Sequence, residues 1–152
     1  MLIRPAAVED AETTARIHVD SWAAAYTLRG PSLERRLDQH RRFPPSFVAE
    51  VDGQVAGFVS VGASRDQDAD GELLMIYVDP ARWSSGVGRA LIRAGEERMR
   101  ELGYRHVVLW VLDDNPRARR FYAAAGWQPD GERRPIEFLG QTVPEVRYAK
   151  LL

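Results

Sequence analysis

The chain has 152 residues, 45% of them hydrophobic and 28% charged, with a formal net charge of −1. That length suits one domain, residues 1–152, with a core of its own, and the near-neutral balance speaks against a nucleic-acid partner. The absence of cysteine excludes disulfides, thiolate metal sites and a cysteine nucleophile, and the scattered His18, His40 and His106 lack metal-ligand spacing, so no metal is expected.

Leu2 to Arg4 reads as a short strand closed by Pro5. Glu9 to Tyr26 predicts a helix, because Ala11, Ala15, Val19 and Trp22 recur at helical spacing. Gly30-Pro31 breaks it, and Ser32 caps a second short helix that must end before Pro44-Pro45. Phe47 to Val51 and Val55 to Val61 predict strands joined by the hairpin turn Asp52-Gly53. The polar stretch Arg65 to Asp70 reads as a loop before a strand at Leu73 to Val78. A helix carrying Ala90, Leu91, Ala94, Met99 and Leu102 follows and is stopped by Gly103. His106 to Leu112 reads as a buried strand, and Asn115-Pro116 opens a last helix ending at Ala125-Gly126. Ile136 to Leu139 and Thr142 to Leu152 close the chain as an antiparallel pair around Gly140. The order implies a mixed α/β sheet with helices on both faces. The N-terminus lacks a signal peptide's apolar region, and no apolar run approaches the ~20 residues that span a bilayer. A cytoplasmic protein without a membrane partner is the expectation.

The richest local signal is Trp83-Ser84-Ser85-Gly86-Val87-Gly88-Arg89, which leads from a strand into a helix. The first N–H groups of a helix lack internal partners and carry the positive end of its dipole, so they suit an anion such as a pyrophosphate. Arg89 stands where a helix by itself prefers an acid. Glycines that merely permit close packing are the alternative reading of this turn.

A second segment, Asn115-Pro116-Arg117-Ala118-Arg119-Arg120-Phe121-Tyr122-Ala123-Ala124-Ala125-Gly126-Trp127, decides between them. Together the two segments resemble the GNAT superfamily of acetyl-CoA-dependent N-acetyltransferases. The pattern Asn-x-x-Ala-x-x-Phe-Tyr-x-x-x-Gly-aromatic is complete, and the family's (Arg/Gln)-x-x-Gly-x-(Gly/Ala) loop matches at Gly86 and Gly88, with Trp83 in place of its first residue. The opening Ile3-Arg4-Pro5-Ala6 and the closing Pro144 to Tyr148 fit the same family. The resemblance implies a central, mostly antiparallel sheet of about seven strands with a splayed parallel pair, flanked by about four helices.

It also implies roles. Acetyl-CoA would bind through Trp83, Ser84, Ser85, Gly86, Val87, Gly88 and Arg89, through the backbones of Ile76, Tyr77 and Val78, and through Asn115 and Tyr122, leaving coenzyme A as product. Tyr122 takes the general-acid position. A thiol titrates near ~8.5, so protonating the leaving group helps at neutral pH. Glu72, by an ungapped count back from Gly86, takes the base position of one branch of the family, with a solvated strand-edge carboxylate as the other reading. His18, Trp22 and Tyr26 share one helical face and form either an acceptor-side aromatic wall or core packing. Glu34-Arg35-Arg36 and His40-Arg41-Arg42 read as solvated faces whose charge could select an acidic acceptor, and Glu132 to Pro135 as a mobile loop. The acceptor is expected to be an amine of a small molecule or peptide, and a homodimer through the terminal strands is the family's suggestion. A non-catalytic acyl-CoA sensor and an acyltransferase for longer chains remain the rival readings.

Overall fold

The computed structural model describes residues 1–26 and 29–152. Strand β1 (Leu2–Pro5) leads through a 3-10 turn to helices α1 (Ala11–Ala25) and α2 (Leu33–Arg42). Strands β2 (Phe47–Val51), β3 (Gln54–Ala63) and β4 (Gly71–Val78) follow, then α3 (Val87–Glu101), β5 (His106–Leu112), α4 (Pro116–Ala124), β6 (Gln128–Phe138) and β7 (Gln141–Leu151). All seven strands form one sheet in the order β1-β2-β3-β4-β5-β7-β6. Every neighbouring pair is antiparallel except β4 with β5.

Alternation along the strands sorts the core into two layers. Val48 and Phe58 point to one face and meet Ile17 of α1. Ala49 and Val59, one residue on, point to the other face and join Leu91, Ile92 and Met99 of α3 and Tyr122 of α4. Gly95 lets α3 lie against the sheet, because a Cβ there would stand 3.1 Å from the Val61 side chain and 3.3 Å from Val59. Beyond α4, Trp127 is fully buried and donates its indole N–H to Glu96 (3.0 Å), which also binds Lys150 of β7 (2.6 Å). No helix among the described residues is long and apolar enough to cross a membrane.

The element order matches the sequence expectation, with differences in detail. The first helix begins two residues late, since Val8–Asp10 forms a 3-10 turn whose Asp10 carboxylate receives both Arg4 terminal nitrogens (2.8 and 2.9 Å). Tyr26 is extended rather than helical. The closing pair is far longer than Ile136 to Leu139 suggested, and Glu132 to Pro135 belongs to strand β6. Its register against β7 slips between Pro129 and Arg133, which hid the strand from a simple alternation. The 65–70 loop is tethered: Arg147 of β7, almost fully buried, binds Asp66 and Asp68 of that loop together with Asp130.

His40, expected on a solvated face, is fully buried. The Thr14 hydroxyl donates to the Ala11 carbonyl (3.2 Å), so His40 Nδ1 (2.9 Å) is the donor to Thr14 and His40 Nε2 accepts from His18 Nδ1 (3.1 Å). That ordered chain pins α2 to α1 with both rings neutral. Burial, then the nearby Arg36 charge, pushes His18 down to about 2 and His40 to about 4. An unfolded chain takes up these protons near pH ~6.5 while the folded one refuses them, so stability falls as pH drops below that point. We expect urea midpoints to decline between pH 6.5 and 4.5, approaching about 1.4 kcal/mol per pH unit for each histidine. His40→Gln should flatten that slope; an unchanged slope in the variant would remove the pair from the account.

Candidate active site

Strands β4 and β5 pair only at Gly71–Val107 and Glu72–Val108. Beyond that point the sheet is open between them. A bulge accompanies the opening: Ser60 faces Met75 and Val61 faces Leu73, leaving Leu74 without an opposite residue on β3. Asp79 N donates to Ala56 O (2.8 Å), and antiparallel strands alternate the direction of their backbone groups. Tyr77 therefore spends its N–H and C=O on β3, while Ile76 and Val78 turn theirs to the cleft. The expectation that all three backbones serve a ligand is corrected to these two. The Val78 carbonyl is already engaged, by Ser21 Oγ of α1 (2.8 Å) and by Trp83 Nε1 (2.9 Å).

At the mouth of this cleft the 83–89 turn runs into α3. Ser84 (φ 62°) and Gly86 (φ 91°) both take the left-handed region, which turns the loop so that α3 starts at Val87 with no acidic residue in its first turn. The two motif glycines serve different ends. A Cβ on Gly86 would meet nothing within 4 Å, so that side is open to a ligand; one on Gly88 would stand 3.0 Å from the Phe121 ring. Gly88 is thus the close-packing glycine, joining α3 to α4. Ile76, Val78, Trp83, Ser84, Gly86, Gly88, Arg89 and Tyr122 line a cavity of about 540 Å³ here. Ser85 folds its hydroxyl back onto the Arg82 carbonyl, and the Val87 side chain is buried in the core. Arg82, Arg117 and Arg120 complete the wall and were not singled out from the sequence, although the Arg117-Ala118-Arg119-Arg120 run signals basic density at the start of α4. Arg117 stacks over the Trp83 ring, 3.6 Å from its centroid, so the tryptophan that departs from the family loop holds both a strand carbonyl and a cation.

A second cavity, about 460 Å³, adjoins the first. Ile76, Trp83, Arg117, Ala118 and Tyr122 line both. Tyr122 sits at the junction, almost fully buried, and its hydroxyl makes no hydrogen bond among the described residues. Ser60 Oγ is the one sealed, unpartnered side-chain polar atom among those residues, so the Tyr122 hydroxyl opens to the cleft. Burial, with a smaller push from Tyr77 and Tyr26, raises its phenol well above the ordinary range. Asn115 caps α4 by accepting from Ala118 N (3.1 Å) and donates its amide to the Tyr26 hydroxyl (2.5 Å), spanning the cleft from α4 to the end of α1.

His18, Trp22 and Tyr26 all line the second cavity, with Trp22 and Tyr26 ring centroids 4.5 Å apart and His18 4.3 Å from Tyr77. The stripe is at once core packing and cavity wall. Glu72 is placed differently. It is 1% exposed, not a solvated edge carboxylate, and lies where β4 and β5 still pair. Its oxygens take the Arg65 backbone N–H (3.1 Å), Nε (3.3 Å) and Nη2 (2.6 Å). It does not line the cavity, whereas Arg65 does. The carboxylate on the cavity wall is Glu145 of β7, held by Arg134 Nε at 3.0 Å, and Arg134 in turn lies over the Trp110 ring. The sequence places Arg134 in a segment near the pocket's other side, whereas Glu145 carries no such signal, because it stands on the last strand, well past both motifs.

A family model described as the acetyltransferase (GNAT) family matches residues 11–127. The N-acetyltransferase YuaI of Bacillus subtilis is 34% identical over 127 residues, covering 75% of this chain and 73% of its own. A mycothiol acetyltransferase of Sanguibacter keddieii is 42% identical over 85 residues, which span 53% of this chain but 27% of that longer protein. Among solved structures, a ribosomal-protein-alanine N-acetyltransferase from Brucella melitensis superimposes over the whole of both chains with a TM-score of 0.78 at 25% identity. YncA from Salmonella typhimurium, solved with its cofactor acetyl-CoA, shares the fold at a TM-score of 0.74 and 23% identity, over 99% of this chain and 93% of its own. With an opened parallel pair, an anion-ready turn and a tyrosine at their junction, and with a family model covering most of its length, the chain belongs to the GNAT family of acetyltransferases.

Proposed function

We propose that the protein transfers an acetyl group from acetyl-CoA to an amine by direct attack within the cleft, with Tyr122 as general acid. The observation that carries this reading is the open, unpartnered hydroxyl of Tyr122 where the two cavities meet. The first cavity fits a polyphosphate. Gly86 presents bare backbone, the first turn of α3 lacks an acid, and Arg89 and Arg120 have no ion-pair partner among the described residues. Ile76 offers its N–H and C=O, and Val78 its N–H, along the opened strand to the coenzyme arm, as an added strand would use them.

Bound acetyl-CoA supplies an activated thioester, whose C–S bond breaks as the amine nitrogen takes the acetyl group. Tyr122 holds a proton at its Oη and can deliver it to the departing sulfur. A phenol with a raised pKa is a reluctant acid in water. The same dry surroundings also raise the thiol, so the proton passes as the C–S bond breaks and the negative charge moves from sulfur to the phenol oxygen, which regains its proton from the one the amine gives up. Glu145 is the carboxylate positioned to take the amine's proton, directly or through water, while Glu72 fixes Arg65 in the wall. This assignment moves the base away from Glu72 because Glu145 lines the cavity and Glu72 does not.

Tyr122→Phe should lower kcat by about 10²–10⁴-fold in a free-thiol assay while changing acetyl-CoA affinity far less. Equal turnover would remove the tyrosine from its role. Because its phenol is raised, wild-type kcat should show no falling limb from this group up to pH ~10. Arg89→Ala should weaken acetyl-CoA binding by about tenfold in a calorimetric titration. Absence of binding to the folded wild-type protein would overturn the reading. Glu145→Gln should cost most with high-pKa amines, whereas Glu72→Gln should lower stability with an acceptor-independent effect on rate; the reverse pattern would return proton acceptance to Glu72.

A further inference from the structure

Arg36 lies on α2, half-buried, in the wall of the second cavity. Its Nη1 donates to the Gln39 side chain (3.0 Å), and no Asp or Glu among the described residues pairs with it. The other guanidiniums of that cavity are engaged: Arg65 with Glu72, Arg134 with Glu145, and Arg117 over Trp83. Its remaining donors have no protein partner among the described residues, yet none is sealed away, so they are available to whatever enters the cavity.

A half-buried cation without a counter-ion carries a desolvation cost that these neighbours do not offset. The adjacent histidines cannot share it, since the His18–His40–Thr14 chain keeps both rings neutral. Burial lowers the Arg36 pKa, but a guanidinium keeps its proton in proteins. The second cavity is therefore lined by four arginines and a single carboxylate, and Arg36 is the member with neither a carboxylate nor an aromatic ring against it among the described residues.

We infer that Arg36 receives a carboxylate carried by the amine acceptor, so that the substrates of this site are amino acids or short peptides bearing a carboxylate near the reacting amine. The planar fork of one guanidinium matches one carboxylate in both geometry and charge. A phosphate, carrying about −1.5 to −2, would exceed what this single cation neutralises. The inference rests on the acetyltransferase reading above and narrows its acceptor.

The test compares acceptors that differ only in the anion: an amino acid with its carboxamide, a peptide with Asp at its second position with the Asn version, and phosphoethanolamine with ethanolamine. The free-thiol assay should give wild-type protein a kcat/KM at least about tenfold higher for the carboxylate member. In Arg36→Gln that acid-to-amide ratio should fall by at least about tenfold through KM, with partial recovery in Arg36→Lys. The pair showing the larger effect, amino acid or peptide, identifies the source of the carboxylate. Equal use of acid and amide by the wild type, a ratio unmoved by Arg36→Gln, a preference for the phosphate compound, or no turnover of any carboxylate-bearing amine would overturn the inference. A calorimetric titration with acetyl-CoA accompanies each variant. Wild-type protein that fails to bind overturns the acetyltransferase reading itself, whereas intact binding with an unmoved ratio overturns only the role of Arg36. If Arg36→Gln loses acetyl-CoA binding through misfolding, Arg36→Lys carries the same ratio test.

Discussion

The parting of β4 from β5 after two paired residues is the constraint on which the rest of the molecule is arranged. A sheet interior normally satisfies every backbone N–H and C=O, and an opened seam leaves such groups without partners inside the protein. The cost is contained in three ways. Leu74 bulges β4 against β3, which turns the strand away from β5. Ser21 and Trp83 close on the Val78 carbonyl, so the end of the strand is not left bare. The base of the seam is braced by the ion pair of buried Glu72 with the exposed Arg65. What remains open is a strand edge in a half-dry cleft, which an extended ligand can complete at little further ordering cost.

Charge divides that cleft into two chemically distinct halves. On the α3 and α4 side, Arg82, Arg89, Arg117 and Arg120 stand near the start of α3, with no carboxylate among the lining residues. In the other half Arg65 and Arg134 are matched by Glu72 and Glu145, Arg36 has no acidic partner among the described residues, and His18 and His40 are kept uncharged by burial. Tyr122 lies between them, and Asn115 links its helix to Tyr26 across the gap. A single four-residue span of α4, Ala118 to Tyr122's predecessor Phe121, thereby packs against Gly88 while presenting the tyrosine to both halves.

Several differences between what the sequence suggests and what the structure shows share one physical origin. The two motif glycines look equivalent in the chain, yet Gly86 faces open space and Gly88 faces a ring, a distinction made by α4 and not by the loop. An ungapped count from Gly86 back to Glu72 crosses the Leu74 bulge, and Arg65 from a neighbouring loop binds the carboxylate. His40 sits among charged residues on α2, so local composition suggested water, whereas α1 supplies Thr14 and His18 as partners twenty-odd residues away in sequence. Glu132 to Pro135 lacked alternation because the strand slips register there, and its ladder exists through β7.

The sequence by itself determined the order of elements, the hairpin at Asp52-Gly53, the stop at Gly103, the helix opening at Asn115 and the glycine turn that leads into α3. Each depends on dihedral preferences and capping within a few residues, and such short-range energetics are written in neighbouring letters. Tertiary structure alone decided which carboxylate faces the cavity, which arginines there have a carboxylate partner, and that Trp83 and Arg117 stack. Those outcomes depend on distances between side chains from α1, α2, β5, α4 and β7, and burial and pairing at such distances are set only when the sheet has closed around its open seam.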